Sequence, residues 1–486
     1  MNNDKVLLDV LKILLLLVLG SIMVYGIGGG VARFAYFTLV FILFWQSKNN
    51  VFWIAFFWII LTNSFGFFFY RWNEWYIQLT PTVGLTFKSF IPIVIFVKFY
   101  FIQKGSKMLT NDIIRPYYKI FGFYILFMLL WGFVYGYSIT QAAFLLGFLS
   151  WVLLFVHLPL LFNKYQLLQF NRIVFHFSIL LTLYSFVELS TEGFIGSIIT
   201  FGKETPTGAL YGDSLTRVGG GIYLSLYALV MSLYYLSFKS RHFSVWFLSL
   251  VALASFLFIF NSATRGWMMA AIFIVVGYLV VFHAGNLARH LGNLFIIAMV
   301  GLLLFFIMPG NIKDNIKASY ERLSTVEHIA EGDMTAGGTA GRWDVRGPRV
   351  MERFPESPVF GFGYSKVTAQ FFDNHVGNHM LLLSGGIVGF FIVYFTIIFL
   401  LYYFAKLGMK NLVPGVFVFV LAIIGIMIIH STTRNMLSFL MRTDTAFFLA
   451  IMFNHVNAVA DQYNRRLMLI TKNSRINKHT AKANAN

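Results

Sequence analysis

The stretch VLLDVLKILLLLVLGSIMVYGI, residues 6–27, is apolar over a length that crosses a lipid bilayer. A transmembrane helix needs about 20 such residues. The stretch is too long for a signal peptide and has no small-residue cleavage site, so it predicts a retained first span. Similar windows recur along the chain, which is 486 residues long, 58% hydrophobic and 12% charged. Because soluble domains carry about 25% charged residues, the composition predicts a polytopic membrane protein.

The apolar windows are continuous, which excludes the alternating segments of about 10 residues that are typical of a β-barrel. They predict an all-α fold with about 14 transmembrane helices. The predicted spans are 6–27, 31–47, 51–70, 84–103, 117–139, 141–162, 172–190, 218–237, 243–262, 264–283, 292–309, 379–405, 412–431 and 437–456.

Lysine and arginine are concentrated in alternate short connections, from Lys48 to Lys410, and in the tail after the last span. Cytoplasmic loops are enriched in these residues, so both termini are predicted to be cytoplasmic. Arg33, Arg71 and Lys88 are the short-loop exceptions. The net charge of +18 has the same explanation and does not indicate nucleic acid binding. The absence of cysteine excludes disulfides, thiolate metal sites and cysteine nucleophiles.

The pattern of spans and loops divides the chain into five units. A long basic block faces outward in this topology; its start is predicted to be helical, and a short amphipathic helix is expected from residue 342, interrupted at Pro348. The units are an N-terminal bundle (1–190), central helices with an outer loop (191–309), the long extracytoplasmic loop (310–377), C-terminal helices (378–460) and a basic cytoplasmic tail (461–486).

Several arginines fall on the predicted outer face. Arg265 begins a span, where an arginine either snorkels to the interface or contacts an anion. Arg217 precedes three glycines, a pattern that favours either a phosphate at a helix N-terminus or close helix packing. Arg342, Arg346 and Arg349 share one helical face, which is either an anion site or a solvated face paired with acidic neighbours.

The stretch FFDNHVGNHMLLLSGGIVGF, residues 371–390, places two histidines directly before an apolar run. His375 and His379 are four residues apart, yet Asp373 is the only nearby carboxylate, so no metal site is predicted. Asn374 or Asn378 is a candidate helix cap, and a histidine here is a candidate proton acceptor. Other outer-face candidates are Glu188, His430 and Arg434, and Arg442 with Asp444 is a candidate buried ion pair.

No P-loop, zinc signature or acidic metal–nucleotide motif is present. Arginines and a histidine on one membrane face, with few carboxylates, suit a lipid-linked pyrophosphate, because guanidinium groups bind phosphate oxygens in pairs.

The segments TAGRWDVRGPRVMERFPESPVFGFGY (339–364) and HVGNHMLLLSGGIVG (375–389) resemble the signature of the O-antigen ligase and O-antigen polymerase (Wzy-type) superfamily. The matching residues are Arg342, Pro358 with Gly361 and Gly363, His375, and Gly386 with Gly389. SATRGW (262–267) and TRVGGG (216–221) resemble the family's earlier arginine motifs. The resemblance covers roughly 210–400, and the family's usual His-Asn pair is His-Val here.

The resemblance implies a GT-C-like membrane glycosyltransferase that needs no metal or other cofactor. Its donor would be a glycan on undecaprenyl pyrophosphate at the outer face of the bacterial cytoplasmic (inner) membrane. Arg217, Arg265 and Arg342, with Arg346, would hold the pyrophosphate, and His375 would activate the acceptor hydroxyl. His379, Arg349, Arg434 and Glu188 are secondary candidates.

Three functions remain open at this point. A polymerase would join lipid-linked repeat units, and chain length and span count favour it. A ligase would transfer the finished glycan to lipid A-core or another acceptor. A flippase would move lipid-linked glycan without chemistry, but the internal repeats expected of transporters are not seen. Expected partners are the lipid-linked glycan, membrane lipid, a chain-length regulator and a flippase.

Overall fold

A computed structural model describes most of the helical part of the chain. The described residues are 3–62, 64, 76–80, 83–99, 115–136, 162–191, 193–199, 201, 220–238, 241–262, 264–283, 310–324, 341–371, 373, 376–409, 414–432, 436 and 444–456.

Helices dominate this part of the chain. They are α1 (Asn3–Ser21, continued by a π-helical turn Ile22–Ile27), α2 (Gly29–Gln46), α3 (Asn50–Leu61), α4 (Phe87–Val97), α5 (Arg115–Val134), α6 (Lys164–Ser190), α7 (Phe194–Ile199), α8 (Ile222–Ser237), α9 (Val245–Asn261), α10 (Arg265–His283), α11 (Gly310–Ser324), α12 (Gly341–Met351), α13 (Lys366–Gln370), α14 (Gly377–Met409), α15 (Phe417–Thr432) and α16 (444–456). Short 3-10 turns are Phe354–Glu356 and Pro414–Val416.

Five helical segments are long and apolar enough to cross a bilayer. They are Asp4–Ile27, Gly29–Gln46, Lys164–Ser190, Arg265–His283 and Gly377–Met409, and each coincides with a predicted span. Shorter apolar helices coincide with further windows, whereas the windows 141–162 and 292–309 lie outside the described residues. The prediction of a helical membrane protein is therefore confirmed.

The predicted all-α class holds, and one short hairpin departs from helix among the described residues. An antiparallel hairpin pairs β1 (Tyr76–Thr80) with β2 (Val83–Thr86), and α4 follows it directly. The predicted span 84–103 therefore begins as a strand and becomes helical only at Phe87. The strand sequences YIQLT and VGLT carry the β-branched residues that favour extended backbone.

The centre of the bundle is formed by α3, α8 and α16, which are buried along almost their whole length. A helix that is apolar and buried on every side lies inside its bundle. Trp58 joins the three, because its ring lies 4.6 Å from the ring of Tyr227 and 4.9 Å from that of Phe447. The other helices pack around this centre and turn apolar side chains outward, as lipid-facing helices do.

Helix α14 is broken at Gly386, whose backbone (φ 62°, ψ −165°) is not helical. The hydroxyl of Tyr394 donates to the side-chain oxygen of Asn378 over 2.7 Å. Residues this far apart in sequence would be separated by about 24 Å along a straight helix, so the two arms of α14 fold back toward each other. The span predicted over 379–405 is therefore present but bent at Gly386, because a positive φ at glycine allows the chain to turn.

The segment 357–364 closes this break with main-chain hydrogen bonds. It donates to the last carbonyls of the first arm and accepts from the first amides of the second arm, which are the groups that a helix end leaves without partners. The bonds run from Phe362 N to Leu383 O, Gly363 N to Ser384 O, Ile387 N to Pro358 O and Val388 N to Val359 O, over 2.8–3.1 Å.

Glycines allow the backbones to approach this closely. A Cβ on Gly361 (φ 64°) would lie 2.5 Å from the carbonyl carbon of Ser384 and 2.6 Å from the amide of Gly386. A Cβ on Gly386 would overlap the carbonyl oxygen of Val359. We call the contact among Gly361, Gly363, Gly385, Gly386 and Gly389 the glycine junction.

Helix α5 covers the glycine junction. The indole nitrogen of Trp131 donates to the carbonyl of Gly361 over 3.0 Å, and the amide of Tyr364 donates to the carbonyl of Met128 over 3.1 Å. The hydroxyl of Tyr124 occupies the space that side chains at 385 and 389 would need. The glycine junction is thus enclosed by α5, the segment 357–364 and the broken part of α14.

Helix α12 continues through Pro348 to Met351, so the predicted interruption at this proline is wrong. Pro348 is exposed, whereas Gly347 and Val350 are buried. Val350 packs in a small apolar cluster with Phe362, Val376, Met380 and Leu383. This tertiary packing offsets the backbone hydrogen bond that the proline removes.

We expect Gly386→Ala to destabilise the protein by about 2–5 kcal/mol, because strained backbone and overpacking act together. Gly122→Ala is the matched control, since a Cβ on Gly122 in α5 meets no atom within 4 Å. Thermal unfolding in detergent measures the difference. Equal melting temperatures for the two variants would contradict the role of the junction.

Candidate functional site

Helix ends from distant parts of the chain meet at one end of the bundle, which we call the site end. The amide of Gly221 donates to the carbonyl of Thr62 over 2.8 Å, and the amide of Met436 donates to the carbonyl of Gly377 over 3.3 Å. The first contact joins the end of α3 to the start of α8, and the second joins the start of α14 to Met436, which lies between α15 and α16 in the chain. All are connections that the charge pattern places on the outer face.

Helix α12 brings Arg346 to the start of α14. Its guanidinium lies 3.5 Å from a carboxylate oxygen of Asp373, and the arginine side chain is 42% exposed whereas the aspartate is 11% exposed. Asp373 is thus a described partner of Arg346. One carboxylate on one face of the guanidinium orients it while leaving surface open to solvent.

His379 lies against the same helix. A Cβ on Gly347 would be 3.1 Å from its Nε2 atom, so the imidazole packs directly on the backbone of α12. His379 is partly buried in the first turn of α14. Arg346, with its partner Asp373, and His379 therefore both lie where α12 meets the start of α14.

Of the two histidines, only His379 is among the described residues, in the first turn of α14, which begins at Gly377. The predicted shared helical face with His375 stays a prediction. Asn378 is not the expected cap: it lies inside the helix, and its side chain accepts from Tyr394. No group of three metal-ligating side chains occurs among the residues that the structure describes.

Arg265 is the first residue of α10 and is partly buried. The carbonyl of Thr264 accepts from the amides of Trp267 and Met268, over 3.0 and 3.1 Å, and this starts the helix. The Trp267 ring lies 4.8 Å from the ring of Tyr223, at the start of α8. Arg265 is thereby held at the site end, two residues from this contact.

The glycines before α8 serve close packing. Gly220 and Gly221 have positive φ angles of 93° and 78°, and a Cβ on Gly221 would overlap the Leu181 side chain. The Gly221 amide is bonded to Thr62. Of the two interpretations of these glycines, close packing is the one that fits, and the Gly221 amide is not open to a phosphate.

Glu188 is 1% exposed in the last turn of α6. One carboxylate oxygen accepts from the amide of Gly196 over 3.0 Å. The glutamate therefore attaches α7 to the end of α6, and α7 is attached in turn to α1, because the hydroxyl of Ser21 donates to the carbonyl of Ile199. Glu188 therefore has a structural role, in addition to its prediction as a secondary site candidate.

A buried polar chain at the site end was missed by sequence reasoning. The hydroxyl of Thr445 donates to that of Tyr223 over 2.7 Å, and Tyr223 lies 2.9 Å from Nε2 of His430. Thr445, Tyr223 and His430 thus form a continuous hydrogen-bonded chain of buried side chains. Asp444 accepts from the amide of Thr445 over 2.9 Å, which places a carboxylate at the start of α16.

Other predicted residues are not placed. His375, Arg217, Arg434 and Arg442 lie outside the described residues, as does the side chain of Arg342, although its backbone is in α12. Arg349 is exposed on the last turn of α12.

The fold defines a class, helical membrane proteins, with a cluster of arginine, aspartate and histidine side chains at one end of the bundle. No protein-family model, curated protein or solved structure matches the chain.

We expect Tyr223→Phe to lower the free energy of unfolding by about 1–3 kcal/mol, because it removes the buried partner of both Thr445 and His430. Tyr402→Phe is the matched control: this tyrosine is 55% exposed, and surface substitutions change stability by less than about 0.5 kcal/mol. Unfolding in detergent measures both. A Tyr223 variant as stable as the control would show that the chain of hydroxyls contributes nothing.

Proposed function

We propose that the protein is a metal-independent membrane glycosyltransferase. It polymerises undecaprenyl-pyrophosphate-linked oligosaccharide repeat units into O-antigen, capsule or exopolysaccharide at the outer face of the bacterial cytoplasmic membrane. The fold is of the GT-C-like class with about 14 spans, and both termini are cytoplasmic. A ligase that transfers the glycan to lipid A-core is the alternative.

The observation that carries the proposal is the packing of the quoted motif. Among the residues that resemble the family signature, Gly361 packs directly on Gly386, and Pro358 and Gly363 bond to Ile387 and Ser384 on either side of it. Residues of the motif that are separate in sequence lie together in space, which supports an architecture shared with that family. This contact also places α12, with its arginines, beside the start of α14.

The chemistry follows from the charges. A lipid pyrophosphate leaving group carries negative charge that grows as the glycosidic bond breaks, and fixed guanidinium groups stabilise it without a metal ion. Arg342 and Arg346 on α12, Arg265 on α10 and Arg217 before α8 supply this charge. Because guanidinium stays protonated at all physiological pH values, the donor site does not depend on a proton.

The acceptor needs a base. His375 takes the proton from the acceptor hydroxyl as that oxygen attacks the sugar carbon, and the lipid pyrophosphate leaves from the opposite face, which inverts the configuration. Asp373, two residues before His375 in the chain, orients Arg346. His379 supports α12 through its contact with Gly347.

We expect purified protein to release undecaprenyl pyrophosphate from the lipid-linked glycan without added metal or nucleotide. Arg265→Ala, Arg342→Ala and His375→Ala should each slow this release by at least about 100-fold. Lys317→Ala is the control, because this cation on α11 is 73% exposed and lies within 4.0 Å of Glu321.

The products decide between the two transferases. A ladder of lipid-linked polymers identifies a polymerase, and glycan appearing only on added lipid A-core identifies a ligase. Full activity in both Arg265→Ala and His375→Ala would refute the mechanism.

The predicted orientation has a direct test, because the chain has no cysteine and single-cysteine labelling has no background. Tyr320 on α11 is 61% exposed and Trp246 on α9 is 87% exposed. In intact spheroplasts, a membrane-impermeant maleimide should label Tyr320→Cys and not Trp246→Cys. Both should react after the membrane is opened, and the reverse pattern would invert the topology.

A further inference from the structure

A second site candidate lies at the end of the bundle where α1, α6 and α9 begin. A cleft of about 460 Å³ opens between these helices at their N-terminal turns. On the predicted topology this is the cytoplasmic end, remote in sequence from the arginines that the proposed function uses. Its lining residues are Asp4, Val6, Leu7, Arg172, His176, His242, Phe243, Ser244 and Phe247.

Arg172 is the central cation of the cleft. Its guanidinium donates to the carbonyl of His242 over 3.0 Å and stacks at 5.5 Å over the ring of Phe243. These contacts fix the guanidinium plane at the cleft wall. A guanidinium held in this way presents a fixed fork to a phosphate, with less rotamer entropy to lose on binding than a mobile side chain.

The surroundings of Arg172 add positive potential. The pKa of His242 is lowered by its burial and by the nearby charges of Lys164 and Arg172. A histidine whose protonated form is disfavoured by two cations reports a locally positive field. Asp4 is the one carboxylate among the residues that line the cleft. The basic groups in or beside the cleft are Arg172, Lys164, His176 and His242.

His176 has a fixed orientation in the wall of the cleft. Its Nδ1 lies 2.7 Å from the carbonyl of Arg172, so Nδ1 carries a proton. The ring also packs against Phe247, with 5.4 Å between ring centres. The imidazole therefore supports the backbone of α6 and the start of α9 on either side of Arg172.

Exposed aromatic side chains lie at the same end of the bundle as the cleft. Trp246 is 87% exposed and directly precedes Phe247, and Tyr165, in the first turn of α6, is 74% exposed. Tryptophan and tyrosine are enriched where a membrane protein meets lipid headgroups. Leu7, which lines the cleft, is 54% exposed and continues an outward-facing apolar stripe of α1. The cleft therefore opens at headgroup level, toward lipid.

We propose that this cleft binds the headgroup phosphate of an anionic phospholipid of the cytoplasmic leaflet. Arg172 contacts the phosphate, Lys164 adds positive charge beside the cleft, and the acyl chains lie along Leu7 and the neighbouring apolar side chains of α1. Basic pockets between transmembrane helices on the cytoplasmic side are a recurrent form of such sites. The site holds α1, α6 and α9 together and is independent of the proposed catalytic reaction.

The test is native mass spectrometry of the purified full chain with phosphatidylglycerol or phosphatidylcholine added. The wild type should retain phosphatidylglycerol in preference to phosphatidylcholine. Arg172→Gln should weaken phosphatidylglycerol binding by at least about 10-fold, and Arg172→Lys should restore part of it. Lys406→Gln is the matched control, a basic residue at the same predicted membrane face but outside the cleft.

A second variant covers the case in which Arg172→Gln does not fold. Leu7→Trp fills the cleft from an exposed position and should also displace phosphatidylglycerol. Equal retention of the two lipids, or unchanged retention in the foldable variants, would overturn the proposal. Complete displacement of phosphatidylglycerol by an equal concentration of inorganic phosphate would overturn it in favour of a soluble anion.

Discussion

The break in α14 is the constraint on which the arrangement of the site end depends. A bilayer offers no water to backbone amides and carbonyls, so a helix interrupted within it needs partners from the protein. The segment 357–364 supplies them, and it can do so only because Gly361 and Gly386 leave room for backbone against backbone. The same segment follows α12 directly in the chain. Closing the break therefore also places Arg346 next to Asp373 and His379.

Much of the fold could be predicted because the bilayer sets the length of each helix. The window 31–47 matches Gly29–Gln46, and 264–283 matches Arg265–His283, within two residues. The break could not be predicted in this way. Gly385 and Gly386 stand in an apolar run that suits a straight span, and the partners of the broken ends come from the segment 357–364, more than twenty residues earlier. At Pro348 the sequence predicts a break that does not occur. The helix continues through this proline because Val350 packs in an apolar cluster.

The candidate site was predictable only as a set of charges on one membrane face. Charge counting places Arg265 and Arg346 in outward connections, but it says nothing about their partners. The bond between Tyr223 and His430 spans 207 residues, and that between Thr445 and Tyr223 spans 222. Neither residue type nor spacing signals such a contact, because it exists only once three helices have packed. The glycines before α8 were ambiguous for the same reason, until Leu181 and Thr62 were seen against Gly221.

Packing also determines the relative position of the cations in the proposed donor site. Arg265 begins α10 in the bundle, whereas Arg346 lies on α12, whose buried face is formed with residues of the loop and of α14. The two cations therefore lie on helices that are held in place by different contacts. The glycine junction positions α12, and the contact of Trp267 with Tyr223 positions the start of α10. A pyrophosphate that bridges them would bind tightly only at one separation. Residues that touch no substrate, such as Gly361 and Tyr124, would then control turnover through geometry, since small displacements of a binding group cost orders of magnitude in rate.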